Sequence, residues 1–96
     1  MPLTSKNIRQ LRSLAHHLKP VIILGKAGLS EGVLSELNAA LSYHELIKVR
    51  INALDKQNRR MVAEEIVQQT SAELVQMIGN IAVFYRAAEK PIIHFN

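Results

Sequence analysis

Pro20-Val21-Ile22-Ile23-Leu24-Gly25-Lys26-Ala27-Gly28-Leu29-Ser30 is the stretch on which the fold turns. Val21 to Leu24 form a short apolar run bounded by proline and glycine, which reads as a buried strand. Gly25 to Gly28 follow as a tight loop. Ser30 can then cap a helix running to about Ser42, with Val33, Leu34, Leu37, Ala40 and Leu41 on its inner side. A strand, a glycine loop and a helix in this order predict the first half of a β-α-β unit.

Upstream, Thr4 or Ser5 can cap a first helix to about Leu18, with Pro20 beyond its end. At about 100° per residue, Lys6, Arg12, His16, His17 and Lys19 fall within about 80° of Arg9. Ile8, Leu11, Leu14, Ala15 and Leu18 lie opposite. The helix therefore has one cationic and one apolar face, and the cationic face holds no Asp or Glu for i,i+4 pairing.

Downstream, Leu46 to Ile51 alternates, with Ile47, Val49 and Ile51 on one face and Lys48 and Arg50 on the other. This predicts a sheet open to water on one side at that strand. Asp55 can cap a third helix, about Lys56 to Thr70, with Val62, Ala63, Ile66 and Val67 inward. Leu74 to Ile78 and Ile81 to Arg86 flank Gly79-Asn80 and read as a hairpin. A single helix from Lys56 to Ile78 is the alternative, and the β-branched residues around Gly79 favour the hairpin. Ile92 to Phe95 form a short extended tail.

The order α-β-α-β-α-β-β places the chain in the α/β class, as a two-layer α+β domain with a mixed four-stranded sheet. Right-handed crossovers would put helices two and three on the same face. The 96 residues suit one domain, with a core over about residues 3–90 and the tail at 91–96. Apolar residues are 48% and charged residues 21%, a globular composition. No apolar run approaches the roughly 18–20 residues of a membrane span. The first residues lack a secretory pattern, and there is no cysteine. These features predict a cytoplasmic protein with no membrane partner.

The formal net charge is +4, unevenly spread. Residues 1–30 carry Lys6, Arg9, Arg12, Lys19 and Lys26 with no acid, so that segment holds +5 and the rest −1. Such segregation points to a polyanion-binding face. Gly25, Lys26, Ala27 and Gly28 add a loop where a phosphate could approach the backbone and a helix N-terminus. An ordinary β-to-α turn would look the same, and Glu31 works against an anion there. The spacing is neither a nucleotide P-loop nor a dinucleotide fingerprint. Lys56, Arg59 and Arg60 form a second basic group, although Glu64 stands four residues after Arg60 and can pair with it. No histidine pair has zinc-helix spacing, and no catalytic triad or nucleophile elbow is visible. No metal, cofactor or enzymatic role is predicted. Phe84 and Tyr85 must point to opposite faces, so at most one is free to stack on a base.

The run Leu11-Arg12-Ser13-Leu14-Ala15-His16-His17-Leu18-Lys19-Pro20, followed by Ile23-Leu24-Gly25-Lys26-Ala27-Gly28-Leu29-Ser30, resembles the start of a CRM domain (chloroplast RNA splicing and ribosome maturation). Glu73 to Gly79 followed by Ala82-Val83-Phe84-Tyr85-Arg86 resembles that domain's closing hairpin. The likeness spans about residues 3–90, and one such domain alone is similar to the bacterial YhbY-like proteins. The resemblance implies a fold like the C-terminal domain of translation initiation factor three. It further implies RNA binding, association with precursors of the large ribosomal subunit, and RNA contact at Gly25–Gly28 and nearby basic residues. Plant relatives assist group II intron splicing.

The expected RNA-binding set is thus Gly25, Lys26, Ala27, Gly28, Lys6, Arg9, Arg12, His16, Lys19, Arg59 and Arg60. The expected partner is ribosomal RNA of a precursor large subunit, bound by a monomer. A small phosphorylated ligand at the same loop is the rival, with or without catalysis. A third reading makes the tail, through Ile92, Ile93 and Phe95, a docking segment for another protein.

Overall fold

A computed structural model describes residues 3–25, 28–52 and 55–96. Helix α1 spans Ser5–Ala15 and is opened by a capping box. Thr4 Oγ1 accepts the Asn7 N–H and Asn7 Oδ1 accepts the Thr4 N–H, both at 3.1 Å. The helix stops short of the expected Leu18. Its end tightens into i→i−3 bonds, from His17 N–H to the Leu14 carbonyl (3.2 Å) and from Leu18 N–H to that of Ala15 (3.0 Å). Pro20 also disfavours a helical conformation at Lys19.

Strand β1 is Ile22–Leu24, and α2 runs from Glu31 to His44 with Ser30 Oγ accepting the Val33 N–H at 3.1 Å. Strand β2 is Leu46–Ile51. Helix α3, Lys56–Thr70, is capped by Asp55 and ended by Ser71 at φ 60°, a left-handed stop that rules out the single long helix. Strands β3 (Glu73–Ile78) and β4 (Ile81–Tyr85) form the expected hairpin, with Gly79 at φ +57° in its turn.

The sheet order is β1-β2-β4-β3, with β1 parallel to β2 and the other pairs antiparallel. The expected mixed four-stranded α/β architecture is what forms. Leu37 and Leu41 of α2 and Ala63 and Ile66 of α3 pack on Ile22, Leu24, Ile47, Val49, Ile51, Ala82 and Phe84, so both helices share one face. Helix α1 lies on the other face. Its Leu11 and Ala15 join Leu46, Val75, Val83 and Tyr85, supported by Leu3, Ile8, Leu18, Ile93 and Phe95. Burying a leucine such as Leu11 contributes about 1.5–3 kcal/mol.

The second cluster changes two expectations. First, the Lys48/Arg50 side of β2 is not open throughout: α1 covers the Leu46 end, while Arg50 at the far end is exposed. Second, the tail is folded onto the domain. Glu45, fully buried, accepts N–H bonds from Ala88 at 2.6 Å, Ile92 at 2.9 Å and Ile93 at 2.6 Å. The Gln10 side chain donates to the His94 carbonyl at 2.9 Å and accepts the Asn96 N–H at 3.2 Å. Phe95 meets Tyr85 edge-on, with ring centroids 5.6 Å apart. Ile93 and Phe95 are therefore part of this chain's own core, which removes most of the expected docking segment. With Phe84 and Tyr85 both buried, neither ring can stack on a base.

Candidate nucleic-acid interface

The cationic side of α1 faces solvent because its apolar side, through Leu11 and Ala15, is committed to the sheet. Lys6, Arg9, Arg12 and His16 are all exposed and follow the helix over about 15 Å. Lys6, Arg9, His16 and Lys19 make no ion pair among the described residues. Arg12 is held from below. In β3, Leu74 pairs with Phe84 and Gln76 with Val83, leaving Val75 as the extra residue of a β-bulge. Arg12 Nε donates to the Val75 carbonyl at a long 3.4 Å, which leans the guanidinium over the sheet. Lys19 lies beyond the end of the helix and is exposed.

The glycine loop sits at the carboxyl end of β1. Gly28 N–H donates to the Gly25 carbonyl at 3.2 Å, and Gly28 has φ +70°, a conformation that favours glycine. A Cβ added at either glycine would meet nothing within 4 Å, so this backbone is open to approach. Lys26 and Ala27, between them, lie outside the described residues. Ser30 occupies one N–H at the start of α2, and exposed Glu31 follows.

Hydrogen bonds gather other segments at the same end of the sheet. Asn52 N–H donates to the Leu24 carbonyl at 2.8 Å, and Ile51 N–H to that of Asn80 at 2.7 Å. Asn80 Nδ2 donates to Asn52 Oδ1 at 3.0 Å, and Arg59 Nε to the Gly79 carbonyl at 3.2 Å. Arg59 is thus brought to the hairpin turn, at the same end of the sheet as the glycine loop. Arg60 instead pairs with Glu64 at 3.5 Å, with both side chains 62% exposed, which offsets its charge locally.

Two grooves flank these groups. A broad one of about 490 Å³ runs from Gly28 along Asn58, Met61, Glu64, Glu65 and Gln68 of α3. It holds two carboxylates and, among the described residues, no cation, which disfavours a phosphorylated ligand. A smaller one of about 210 Å³ lies between α1 and the sheet, with Arg12, His16 and Lys48 in its wall and no carboxylate.

The match to known proteins is consistent with this geometry. Residues 3–86 match the model of the CRS1 / YhbY (CRM) domain. The chain belongs to the CRM domain family. A Pseudomonas aeruginosa protein named "Probable RNA-binding protein" is 46% identical over 95% of this chain and 88% of its own. An "RNA-binding protein" of Haemophilus influenzae is 47% identical over 92% of this chain and 89% of its own. The solution structure of a Staphylococcus aureus protein, titled "a putative RNA binding protein", superposes with a TM-score of 0.84 at 36% identity, covering 99% of this chain and 100% of that one.

Within this CRM domain, two ionisable residues whose roles do not follow from their sequence neighbours are internal braces. Arg86 donates from Nη1 to Asn38 Oδ1 and the Thr70 carbonyl, both at 2.7 Å, and from Nη2 to the Asn38 carbonyl at 3.0 Å and Ser42 Oγ at 2.9 Å. It ties β4 to α2 and to the end of α3. Burial alone would raise the Glu45 pKa, but the three backbone N–H bonds and the charge of His94 outweigh it and hold the carboxyl below its usual range. Burial, then Glu45 and Glu73, push the Tyr85 hydroxyl up. Among the described residues no three His, Cys, Asp or Glu side chains come together as a metal site. Nor is any helix among them long and apolar enough to cross a membrane.

Proposed function

We propose that this CRM domain binds structured ribosomal RNA in a precursor of the large ribosomal subunit. It acts there in the cytoplasm as a monomeric, non-enzymatic assembly factor, and residues 1–96 form one binding domain. The cationic face of α1, with no acid on it, carries the reading. Phosphates would meet Lys6, Arg9, Arg12 and His16, with Lys19 beyond the helix end. One phosphate would approach the backbone of Gly25, Lys26, Ala27 and Gly28 at the start of α2. Arg59 extends the cationic surface at the hairpin turn, and Arg60 adds less because of Glu64. Support comes from the names of the relatives, from the charge segregation, and from the solvent-open glycine backbone.

The test is RNA affinity measured against salt. Lys6, Arg9, Arg12, Lys19 and Lys26 in contact with phosphates would give a slope near −3.5, at about −0.7 per phosphate on a single strand. The combined Lys6→Ala/Arg9→Ala/Arg12→Ala/Lys26→Ala variant should weaken binding and flatten the slope by about 0.7 for each phosphate it no longer neutralises. Unchanged affinity and slope would overturn the proposal. Crosslinking in cells, with sequencing of the linked RNA, identifies the segment; absence of ribosomal RNA from the crosslinks would remove the assembly role.

A further inference from the structure

Helix α1 covers one end of its sheet face and leaves the other bare. Strand register places Ile23, Arg50, Ile81 and Ile78 side by side on that bare end, one from each strand. The next row on this face runs Lys48, Val83, Gln76. Ile23 is 62% exposed and Ile78 64%, unusual for isoleucines in a sheet. Arg12 and His16 of α1 rise along one side, and Lys48 stands between helix and sheet. The bare end is therefore an apolar floor set with cations. The acid nearest in register, Glu73, is paired with Tyr85 at the covered end.

We infer that this groove between α1 and the open end of the sheet seats a single-stranded segment of RNA, bases over the isoleucines and phosphates toward Arg12, Lys48 and Arg50. The inference rests on the RNA-binding reading above and adds a second surface and a strand preference to it. Charge complementarity selects the occupant: a lining with cations and no carboxylate suits a polyanion. The isoleucines suit the planar or sugar faces of an unpaired strand, which a duplex hides. At about 210 Å³ the groove is below the roughly 300–1,000 Å³ of a small-molecule pocket. A strand lying across it fits better than an enclosed ligand. With no aromatic ring on the floor, contact is by isoleucine and guanidinium, so little base specificity is expected.

The experiment titrates a short labelled oligouridylate and an RNA duplex of equal length. The proteins compared are the wild type, Lys48→Ala/Arg50→Ala, Ile78→Glu, Lys6→Ala/Arg9→Ala, and Lys90→Ala as a control that removes one exposed cation outside the groove. Thermal melts verify folding, and Arg50 and Ile78 are exposed enough for the variants to fold. The groove variants should bind oligouridylate about tenfold more weakly, with a clearly smaller loss on the duplex. Ile78 and Ile81 methyl resonances should shift with oligouridylate. If the groove variants keep wild-type single-strand affinity while Lys6→Ala/Arg9→Ala loses it, the groove inference falls and the RNA reading stands. Equal losses on strand and duplex, or displacement by polyglutamate as readily as by oligouridylate, would reduce the groove to a general anion surface and overturn it. If the wild type binds neither RNA, both readings fall together.

Discussion

Oε1 of Glu45 accepts the backbone N–H of Ile93 at 2.6 Å, across 48 positions of sequence. The same carboxylate also takes the N–H groups of Ala88 and Ile92, so one side chain at the α2–β2 junction anchors the segment from Ala88 to Ile93. Glu45 has φ 66° and ψ −46°, an uncommon backbone state for a residue with a side chain. The network it makes offsets that strain.

Replacing Glu45 therefore costs stability. In Glu45→Gln an amide N–H faces the Ala88 donor or one of the isoleucine donors, and a loss of about 2–3 kcal/mol is expected. Because the folded carboxyl has a lowered pKa, its contribution is present above the unfolded value of about 4.3. It declines as pH falls below that, and is gone once pH passes the folded value. Denaturant melts from neutral to acid pH should show this limb in the wild type and a flatter one in Glu45→Gln; identical limbs would refute the assignment.

Deleting residues 91–96 should lower the melting temperature rather than merely release a binding partner. It removes Ile93 and Phe95 from the α1 cluster and two of the three donors to Glu45. Phe95→Ala alone should cost about 2–3 kcal/mol, less than a fully buried phenylalanine because Phe95 is only partly buried. A truncated chain as stable as the full one would contradict this.

Arg86 is a brace, and its geometry is specific to a guanidinium. Its four acceptors are shared between two nitrogens of one planar fork, which an ammonium cannot reproduce. Arg86→Lys should lose about 2 kcal/mol and Arg86→Met about 3 kcal/mol in chemical denaturation. RNA affinity of the folded fraction should not change, which separates this arginine from those of α1.

The two loop glycines should behave differently. Gly28→Ala forces a side chain into φ +70° and should cost about 1 kcal/mol. Gly25→Ala meets no neighbouring atom within 4 Å and should leave the melt within about 0.5 kcal/mol of wild type. If RNA touches this backbone, Gly25→Ala nevertheless weakens binding. Wild-type affinity in Gly25→Ala would argue against close approach there.

The legible parts of the protein are those set by neighbours along the chain. Thr4, Ser30 and Asp55 act as caps because each accepts an N–H three residues on. The Arg60–Glu64 pair follows from i,i+4 spacing. Phe84 and Tyr85 diverge because adjacent strand residues must. The end of α1 is not legible in the same way, since amphipathic spacing continues past Ala15 while the backbone has already tightened toward Pro20.

The sequence by itself determined the element order, the sheet content and the acid-free cationic face of α1, because periodicity, capping and charge are properties of short range. Only the tertiary structure decided which sheet face α1 covers and which end it leaves bare. It also decided that Arg12 leans on the bulge at Val75, and that Glu45 and Arg86 are internal braces. Those outcomes depend on pairings between residues far apart in the chain, such as Arg12 with Val75 or Glu45 with Ile93. Burial then turns such a polar group from a solvated charge into one that must find its partners inside.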